Sequence, residues 1–546
     1  MRWILATISL GVLVLWPPSG RAVPAPETTG SPALGWPGLG ASPPRSVRRA
    51  ERQVVWVFLA GRGGQRDDER VVPDEHAVWR REARGRATRL PDPDLRVSSS
   101  YLSSLKAGGA TLRTQSRWFN AVSLAATPSQ LEKIRALPFV REVRPVAVGR
   151  KQPDPRPVGR RPEAAPRLEY GSSFNQLEMI GVPAVHDAGL SAAGVRVLML
   201  DTGYYTDHTA FGNGRVLAEW DFINQDGETQ NEPGDPDSQH RHGTATATAL
   251  GGLWPGQLYG PAFACQFLLA KTEDTSSETP VEEDYYVAAL EWGEAQGADV
   301  ASGSLSYTDW YTFEDLDGQT AVVTQAVDLA VALGLSVVAS AGNSRGDAWG
   351  HIGTPADAFG VISVGAVDEL GQLAWFSSPG PTFDGRIKPE VTAQGVSVAA
   401  AGWDNPTSLR FFSGTSLSCP LVAGCAALLL EAHPFWTPGQ VRSALMRTAD
   451  RASMPDNDYG WGIINLPAAL LAFPEPGPVN ISIQGDLVQL SWPDSDYAHY
   501  RIYQASQPWG PFTLIGESAD TSWTGQSLLQ QGSGFFRIQG LVDPLR

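Results

Sequence analysis

Hydrophobic positions along the 546-residue chain change their spacing several times, and each change marks a different kind of structure. A mainly apolar run from Ile4 to Trp16 follows Arg2 and stops at Pro17-Pro18, with Gly20 and Ala22 just beyond. A basic start, a short apolar core and a small-residue end describe an export signal over residues 1–22. The run is short for a spanning helix and no second apolar run of about twenty residues follows, so no membrane span is expected after the signal is removed. Next, "QVVWVFLAG" from Gln53 to Gly61 reads as a strand, and "WFNAVSLAATPSQLEKIRALPFVREVRPV" as strand, helix, strand. Thr127-Pro128-Ser129-Gln130 gives the helix its start signal, and Leu131, Ile134 and Leu137 its apolar face. The pattern predicts a small α+β domain over about 53–150. The Pro- and Arg-rich stretch "GRKQPDPRPVGRRPEAAPRLEYG" cannot build a core, and reads as an exposed, cuttable linker reaching about residue 165.

From 166 to 472 the apolar runs "GVRVLMLDTG", "CQFLLAKT", "ADVASGSLSY", "LSVVASAGN" and "GVISVGAV" alternate with helical patterns. Near-continuous apolar strands separated by helices predict an α/β fold, a parallel sheet covered on both faces. Chemistry in such sheets gathers at the carboxyl ends of the strands, where Asp201 and Asn343 fall. From 473 to 546, short segments such as "LVQLSWP" and "HYRIYQA" alternate apolar and polar residues between turns. They predict a small all-β sandwich, with Trp492, Tyr500 and Tyr503 in its core.

Composition narrows the class. With 42% hydrophobic and 18% charged residues, the chain can bury a large core and divide into several domains. Its net charge of −16 hides an asymmetry: residues 23–165 hold roughly two dozen Arg and Lys against some fourteen acids, and the remainder is strongly acidic. The two parts should attract each other. The arginines are scattered among acids without interleaved aromatics, which argues against nucleic acid as a partner. Cys265, Cys419 and Cys425 allow one disulfide at most, and two of them lie in one apolar helical run, so they read as small buried hydrophobes.

The candidate chemistry lies in four short stretches. "FSGTSLSCPLVAGCAALLL" carries a small polar turn straight into an apolar helix, with Ser416 at the helix start and Pro420 inside its first turns. A helix start supplies unpaired amides and a positive dipole end, which suits a nucleophile, although an N-capping serine looks the same. "VLMLDTGYYTDH" sets Asp201 at a strand end, "HRHGTATATALGG" sets His242 before a small-residue helix, and "VVASAGNS" ends a strand at Asn343. A hydroxyl attacking an acyl carbon needs an imidazole to take its proton, a carboxylate to orient that imidazole, and donors for the oxyanion. The four residues supply the complementary parts.

These blocks, "DTG", "HGT", "SAGN" and "GTSLSCPLVAG" in that order, resemble the subtilisin-like serine proteases over residues 175–472. The resemblance implies Asp201 as orienting acid, His242 as general base and acid, Ser416 as nucleophile, and Asn343 as oxyanion donor beside the Ser416 amide. It also implies that Ser304, Leu305 and Ser306, with the segment ending at Gly342, flank the cleft and pair with an extended peptide. Gly353, without a side chain, should leave the main specificity pocket deep, and the Thr354-Pro355 bond should be cis. The N-terminal α+β piece resembles the family's propeptide, a folding template and intramolecular inhibitor that is cut off. The C-terminal piece resembles a fibronectin type III domain. Leu417-Ser418 stand where the family usually has Met-Ala, and Ala210 stands where many relatives have a calcium-binding aspartate. Acid-rich loops at Glu314, Asp315 and Asp317 and in "NQDGETQNEPGDPD" could hold calcium, but read more plainly as solvated. No metal or cofactor is assigned. The expectation is a secreted, monomeric serine endopeptidase, acting on proteins or peptides and made as a self-processing zymogen. The alternatives are a surface adhesin with an inactive protease-like domain and a small-ester hydrolase; no Gly-x-Ser-x-Gly elbow surrounds Ser416.

Overall fold

A computed structural model describes residues 52–62, 70–85, 92–146, 168–275, 282–308, 311–473, 479–484, 487–492, 497, 499–505, 513–526 and 535–541. The stretch read as an export signal and most of the expected linker lie outside these residues. The first domain runs β1 (Gln53–Leu59), α1 (Glu75–Arg84), α2 (Ser99–Ala107), β2 (Thr111–Ser116), β3 (Ala121–Ala126), α3 (Pro128–Arg135) and β4 (Val140–Pro145). Its strands form one antiparallel sheet in the order β2-β3-β1-β4. The start signal acts as read: Thr127 and Gln130 close a reciprocal capping box on α3. The unbroken apolar run of β1 has a simple cause. Val55, Val57 and Leu59 pack under α2 and α3, while Trp56 and Phe58 on the other face pack into the large domain.

The large domain begins with two short helices, α4 (Phe174–Glu178) and α5 (Val182–Asp187). It continues through β5 (Arg196–Asp201), β6 (Val216–Asp221), α6 (Arg241–Gly251), the small hairpin β7 (Leu253–Trp254) and β8 (Leu258–Tyr259), β9 (Gln266–Lys271) and α7 (Glu282–Ala295). There follow β10 (Val300–Gly303), α8 (Val322–Ala332), β11 (Ser336–Ser340), β12 (Ile362–Val367), β13 (Val391–Gln394) and the hairpin β14 (Val398–Ala401) and β15 (Leu409–Phe412). Helices α9 (Thr415–Ala432), α10 (Pro438–Arg447) and α11 (Leu466–Ala469) complete it. Seven parallel strands lie in the order β13-β12-β11-β10-β5-β9-β6. Within β5, Val197 and Met199 face the layer of α6 and α9, and Leu198 and Leu200 face α7 and α8. A strand apolar on both faces is the expected result of covering both sides of a parallel sheet. Strand order changes direction between β5 and β10, and the crevice at that point is where such sheets take ligands.

Helix α9 is long and apolar enough to cross a bilayer by composition, but 89% of it is buried within this domain as its central helix. It is a second long apolar run that the hydrophobic pattern did not separate from a core helix. Cys265, Cys419 and Cys425 are free, buried thiols.

The C-terminal part is a sandwich of two three-stranded sheets. One holds β16 (Asn480–Gln484), β17 (Leu487–Ser491) and β20 (Ser522–Gln526); the other holds β18 (His499–Ala505), β19 (Thr513–Ser518) and β21 (Phe535–Leu541). Trp492 and Tyr500 pack in its core with ring centroids 5.0 Å apart, but Tyr503 does not. Tyr500 and Ile502 point inward along β18, so strand alternation turns Arg501 and Tyr503 to the opposite face, where Tyr503 packs on α1.

Candidate active site

Asp201 is the last residue of β5, and the chain must leave the sheet immediately behind it. Gly203 makes that turn with φ +121°, a conformation that L side chains rarely adopt. Gly243 then lets the first turn of α6 lie against the strand end, since a Cβ there would collide with the Gly203 carbonyl. The approach brings His242 Nδ1 to 2.6 Å from Asp201 Oδ1. Thr246, one turn further along α6, donates to Asp201 Oδ2 at 2.9 Å, and the Thr202 N–H donates to Oδ1 at 2.7 Å. Asp201 is fully buried and His242 is 5% exposed. These donors fix the orientation of the buried carboxylate.

Gly414, at φ +147°, precedes α9, and Ser416 is the second residue of that helix. Pro420 has no N–H, so the Ser416 carbonyl lacks the usual partner four residues on. The Ser304 hydroxyl takes that place, donating to the Ser416 carbonyl at 2.9 Å. The Ser416 hydroxyl in turn donates to the Ser304 carbonyl at 3.4 Å. Leu200 pairs with Gly303 in the sheet, so Asp201 and Ser304 are the next residues on neighbouring strands. Two adjacent strand ends thus carry the two halves of the site: Asp201 holds His242, and Ser304 holds Ser416.

Asn343 lies beyond the end of β11. Its Oδ1 accepts from the Thr415 N–H and from Thr415 Oγ1, both at 3.0 Å. The oxygen is therefore fixed against the residue before Ser416, and the amide's NH2 group is turned to the other side. Thr415 Oγ1 also accepts from the Gly342 N–H at 3.2 Å. Thr246 and Thr415 both brace the site, and neither was singled out from the sequence. Their signal was position: Thr246 lies four residues after His242, and Thr415 immediately before Ser416.

Residues Ser304, Leu305 and Ser306 continue the line of β10 beyond its last ladder pair, Gly303 with Ala339, and Leu305 accepts from the Ser340 hydroxyl at 3.4 Å. Tyr307 and Thr354 then close a backbone bridge, with both hydrogen bonds between 2.9 and 3.1 Å, which ties this segment to the one containing Gly353. The Thr354-Pro355 bond is cis. Gly353 was read as leaving the main specificity pocket deep, and the Ser306 side chain lies beside it. A Cβ on Gly353 would collide with Ser306 Oγ, and a Cβ on Gly342 would lie 3.1 Å from the same oxygen. Gly353 makes room for the Ser306 side chain, and an added Cβ on Gly342 would press on both Ser378 Oγ and Ser306 Oγ.

The acidic loops are largely occupied locally. Asp317 accepts from the Gln319 and Thr320 N–H groups, and Asp315 from that of Thr312. Asp221, Asp226 and Glu232 could bring three carboxylate oxygens within 4.8 Å of one another. The Lys271 ammonium already serves two members of that cluster, 2.8 Å from Asp221 and 4.0 Å from Glu232, and it also lies 2.9 Å from Asp235. Burial raises the Cys419 thiol to about 12, so this neighbour of the site is an inert hydrophobe.

Fold and site together define a serine hydrolase on a parallel α/β sheet. Residues 192–462 match the subtilase family, peptidase S8, and residues 55–157 match the S8 propeptide domain described for Bacteroidota. The chain is 35% identical over 300 residues to subtilisin DY of Bacillus licheniformis, covering 54% of this chain and 97% of that protein. It is 30% identical over 296 residues to subtilisin Savinase of Lederbergia lenta, again 97% of the relative and 54% of this chain. Its fold is similar to fervidolysin of Fervidobacterium pennivorans, described as a keratinolytic enzyme related to subtilisin. That match has a TM-score of 0.57 and 22% identity, over 88% of this chain and 70% of fervidolysin. The chain belongs to the subtilase family and is a subtilisin-like serine protease with a propeptide domain.

Proposed function

We propose that this protease is an exported zymogen that processes itself and cleaves peptide bonds with Ser416 as nucleophile, His242 as base and Asp201 as orienting acid. The observation that carries the reading is the 2.6 Å contact between His242 Nδ1 and a fully buried, three-donor Asp201 carboxylate. An ionised carboxylate there keeps the imidazole proton on Nδ1, so Nε2 bears the lone pair. The Ser416 oxygen bonds to the scissile carbonyl carbon as its proton passes to Nε2. The resulting oxyanion accepts from the Asn343 amide and the Ser416 N–H. Collapse breaks the C–N bond, Nε2 returns the proton to the departing amine, and an ester remains on Ser416. Water then gives a proton to the same imidazole as its oxygen bonds to the ester carbon, the bond from that carbon to Ser416 Oγ breaks, Nε2 returns the proton to Oγ, and the acid leaves. Every proton moves between protein groups, substrate and water, and we assign the cycle no cofactor.

The substrate in this reading is an extended peptide lying between Ser304–Ser306 and the segment ending at Gly342 and pairing with their backbone. Ser306, filling the space beside Gly353, adds a hydroxyl to the pocket for the side chain before the cut. The propeptide is read as the intramolecular inhibitor. Its sheet buries Trp56, Phe58 and Trp118 against the α7 and α8 layer. Glu291 of α7 accepts from the Ser116 hydroxyl at 2.5 Å and from the Arg117 N–H at 3.0 Å. The test is the full chain with Ser416→Ala, made beside wild type in a protease-deficient host. The variant should accumulate uncut while wild type sheds its propeptide and digests casein. Processing of the variant at the wild-type rate would overturn the proposal.

A further inference from the structure

Helix α1 belongs to the propeptide but lies outside its sheet, and its contacts fall on two other parts of the chain. Toward the large domain, buried Arg80 donates to the Glu294 carboxylate and to the Ala298 carbonyl. Arg81 Nε reaches Glu294 at 2.7 Å. Arg84 bridges Asp299 at 2.8 Å and the Pro434 carbonyl at 2.6 Å. His76 Nε2 lies 2.9 Å from Asp299. Toward the sandwich, the Tyr503 hydroxyl donates to the Ala83 carbonyl and Arg501 to the Gly85 carbonyl, each at 3.2 Å. Those carbonyls close the C-terminal end of α1, where helices leave acceptors unpaired and carry their negative dipole end. Phe435, before α10, completes the seat: its ring lies 5.8 Å from Trp79 of α1 and 5.5 Å from Tyr503.

The direction of these side chains matters. Arg501 and Tyr503 are on the face of β18 that points away from the sandwich core, where water would ordinarily lie. Tyr503 is nevertheless 1% exposed, within a buried cluster made with Ala83 and Phe435. An aromatic ring of this kind on a sandwich's outer face needs a partner, and α1 is that partner.

We propose that the C-terminal sandwich is part of the propeptide's receptor: it caps α1, forms with Glu294, Asp299 and Phe435 a seat for an arginine- and tryptophan-bearing helix, and slows departure of the propeptide. The proposal rests on the reading that the propeptide leaves the enzyme. Its test is independent of catalysis. A recognition sequence for a sequence-specific foreign protease is placed within residues 147–167 of the full chain carrying Ser416→Ala. After cutting, release of the propeptide is followed by size-exclusion chromatography. Arg501→Ala with Tyr503→Ala should speed release by about tenfold or more, as lost contacts at one interface act mainly on dissociation. Tyr503→Phe removes a single oxygen, keeps the ring packed, and should speed release severalfold. Trp79→Ala should match the double variant. Release within twofold of the parent in all three would overturn the proposal. Failure of wild type to process itself would instead count against the proposed catalytic roles and leave this result standing.

Discussion

Asp201 and Asn343 are each held by a threonine, and the two threonines have different consequences. Thr246→Val keeps the shape of the side chain while removing one of three donors to Asp201. Turnover should fall by roughly tenfold with KM little changed, since the lost interaction steadies the imidazolium formed in the transition state. Asn343→Ala should lower kcat by about a hundred- to a thousandfold, the usual size of one lost oxyanion donor, and, because it takes the acceptor from the buried Thr415 N–H, should also cost about 1–3 kcal/mol of stability. Steady-state kinetics on a chromogenic peptide checks both. Asp201 and Asn343 could be picked out because each closes an apolar strand, and His242 and Ser416 because each opens a helix of small or apolar residues. Thr246 and Thr415 were not, because a threonine among alanines reads equally well as helix packing and one between Gly414 and Ser416 as part of a polar turn. Ser306 was named as a cleft residue, but that its side chain fills the space at Gly353 depends on how two loops approach, which no local pattern records.

Among the elements, α9 and the segment after β10 are fastened together by the gap Pro420 leaves in the helix ladder. Ser304→Ala strips the Ser416 carbonyl of its donor inside a buried region. The variant should lose about 1–3 kcal/mol of stability, the cost of a buried group left unpaired, measured by denaturant unfolding of the uncut Ser416→Ala chain. An unchanged midpoint would mean that the proline's vacancy is filled in some other way. The central strands were readable because burial on both faces makes them apolar throughout, as in β5 and β12. Strands β6 and β13 were not. The edge strand β6 is half-exposed along most of its length and carries Glu219, and β13 is only four residues long. In β18 the alternation was visible, but Tyr503 was assigned inward with its aromatic neighbour. The partner that makes an aromatic outer face stable lies more than four hundred residues earlier in the chain.

For the whole molecule, the charge asymmetry of the sequence appears as an interface in which propeptide cations meet carboxylates of the large domain. Two of those carboxylates respond to pH in opposite directions. Burial disfavours an ionised Asp299, but Arg84, His76 and the Arg196 N–H outweigh it and bring its pKa down to about 2. Its contribution is present above the ordinary carboxylate pKa, about 4, and is lost only as pH falls from there toward 2. Asp284 of α7 is also fully buried, where Ser123 and Arg113 of the propeptide cover it, and burial pushes its pKa up to about 7. A raised carboxyl favours the complex below its free pKa, and that favour is lost as pH rises through about 7. The cut complex of the Ser416→Ala chain should therefore release its propeptide severalfold faster at pH 8 than at pH 5, and Asp284→Asn should flatten that rise. Equal slopes in the two proteins would remove Asp284 from the account.

If Ser416 is the nucleophile activated by His242, a fluorophosphonate must react with it. The reagent forms a covalent bond only with a serine whose proton can be taken, and peptide mapping by mass spectrometry identifies the modified residue. The matured wild-type protein should carry one label, on Ser416, and the label should vanish with His242→Ala. A label found on any other serine, or labelling of Ser416 at an undiminished rate in His242→Ala, would mean that Ser416 is not the nucleophile His242 activates.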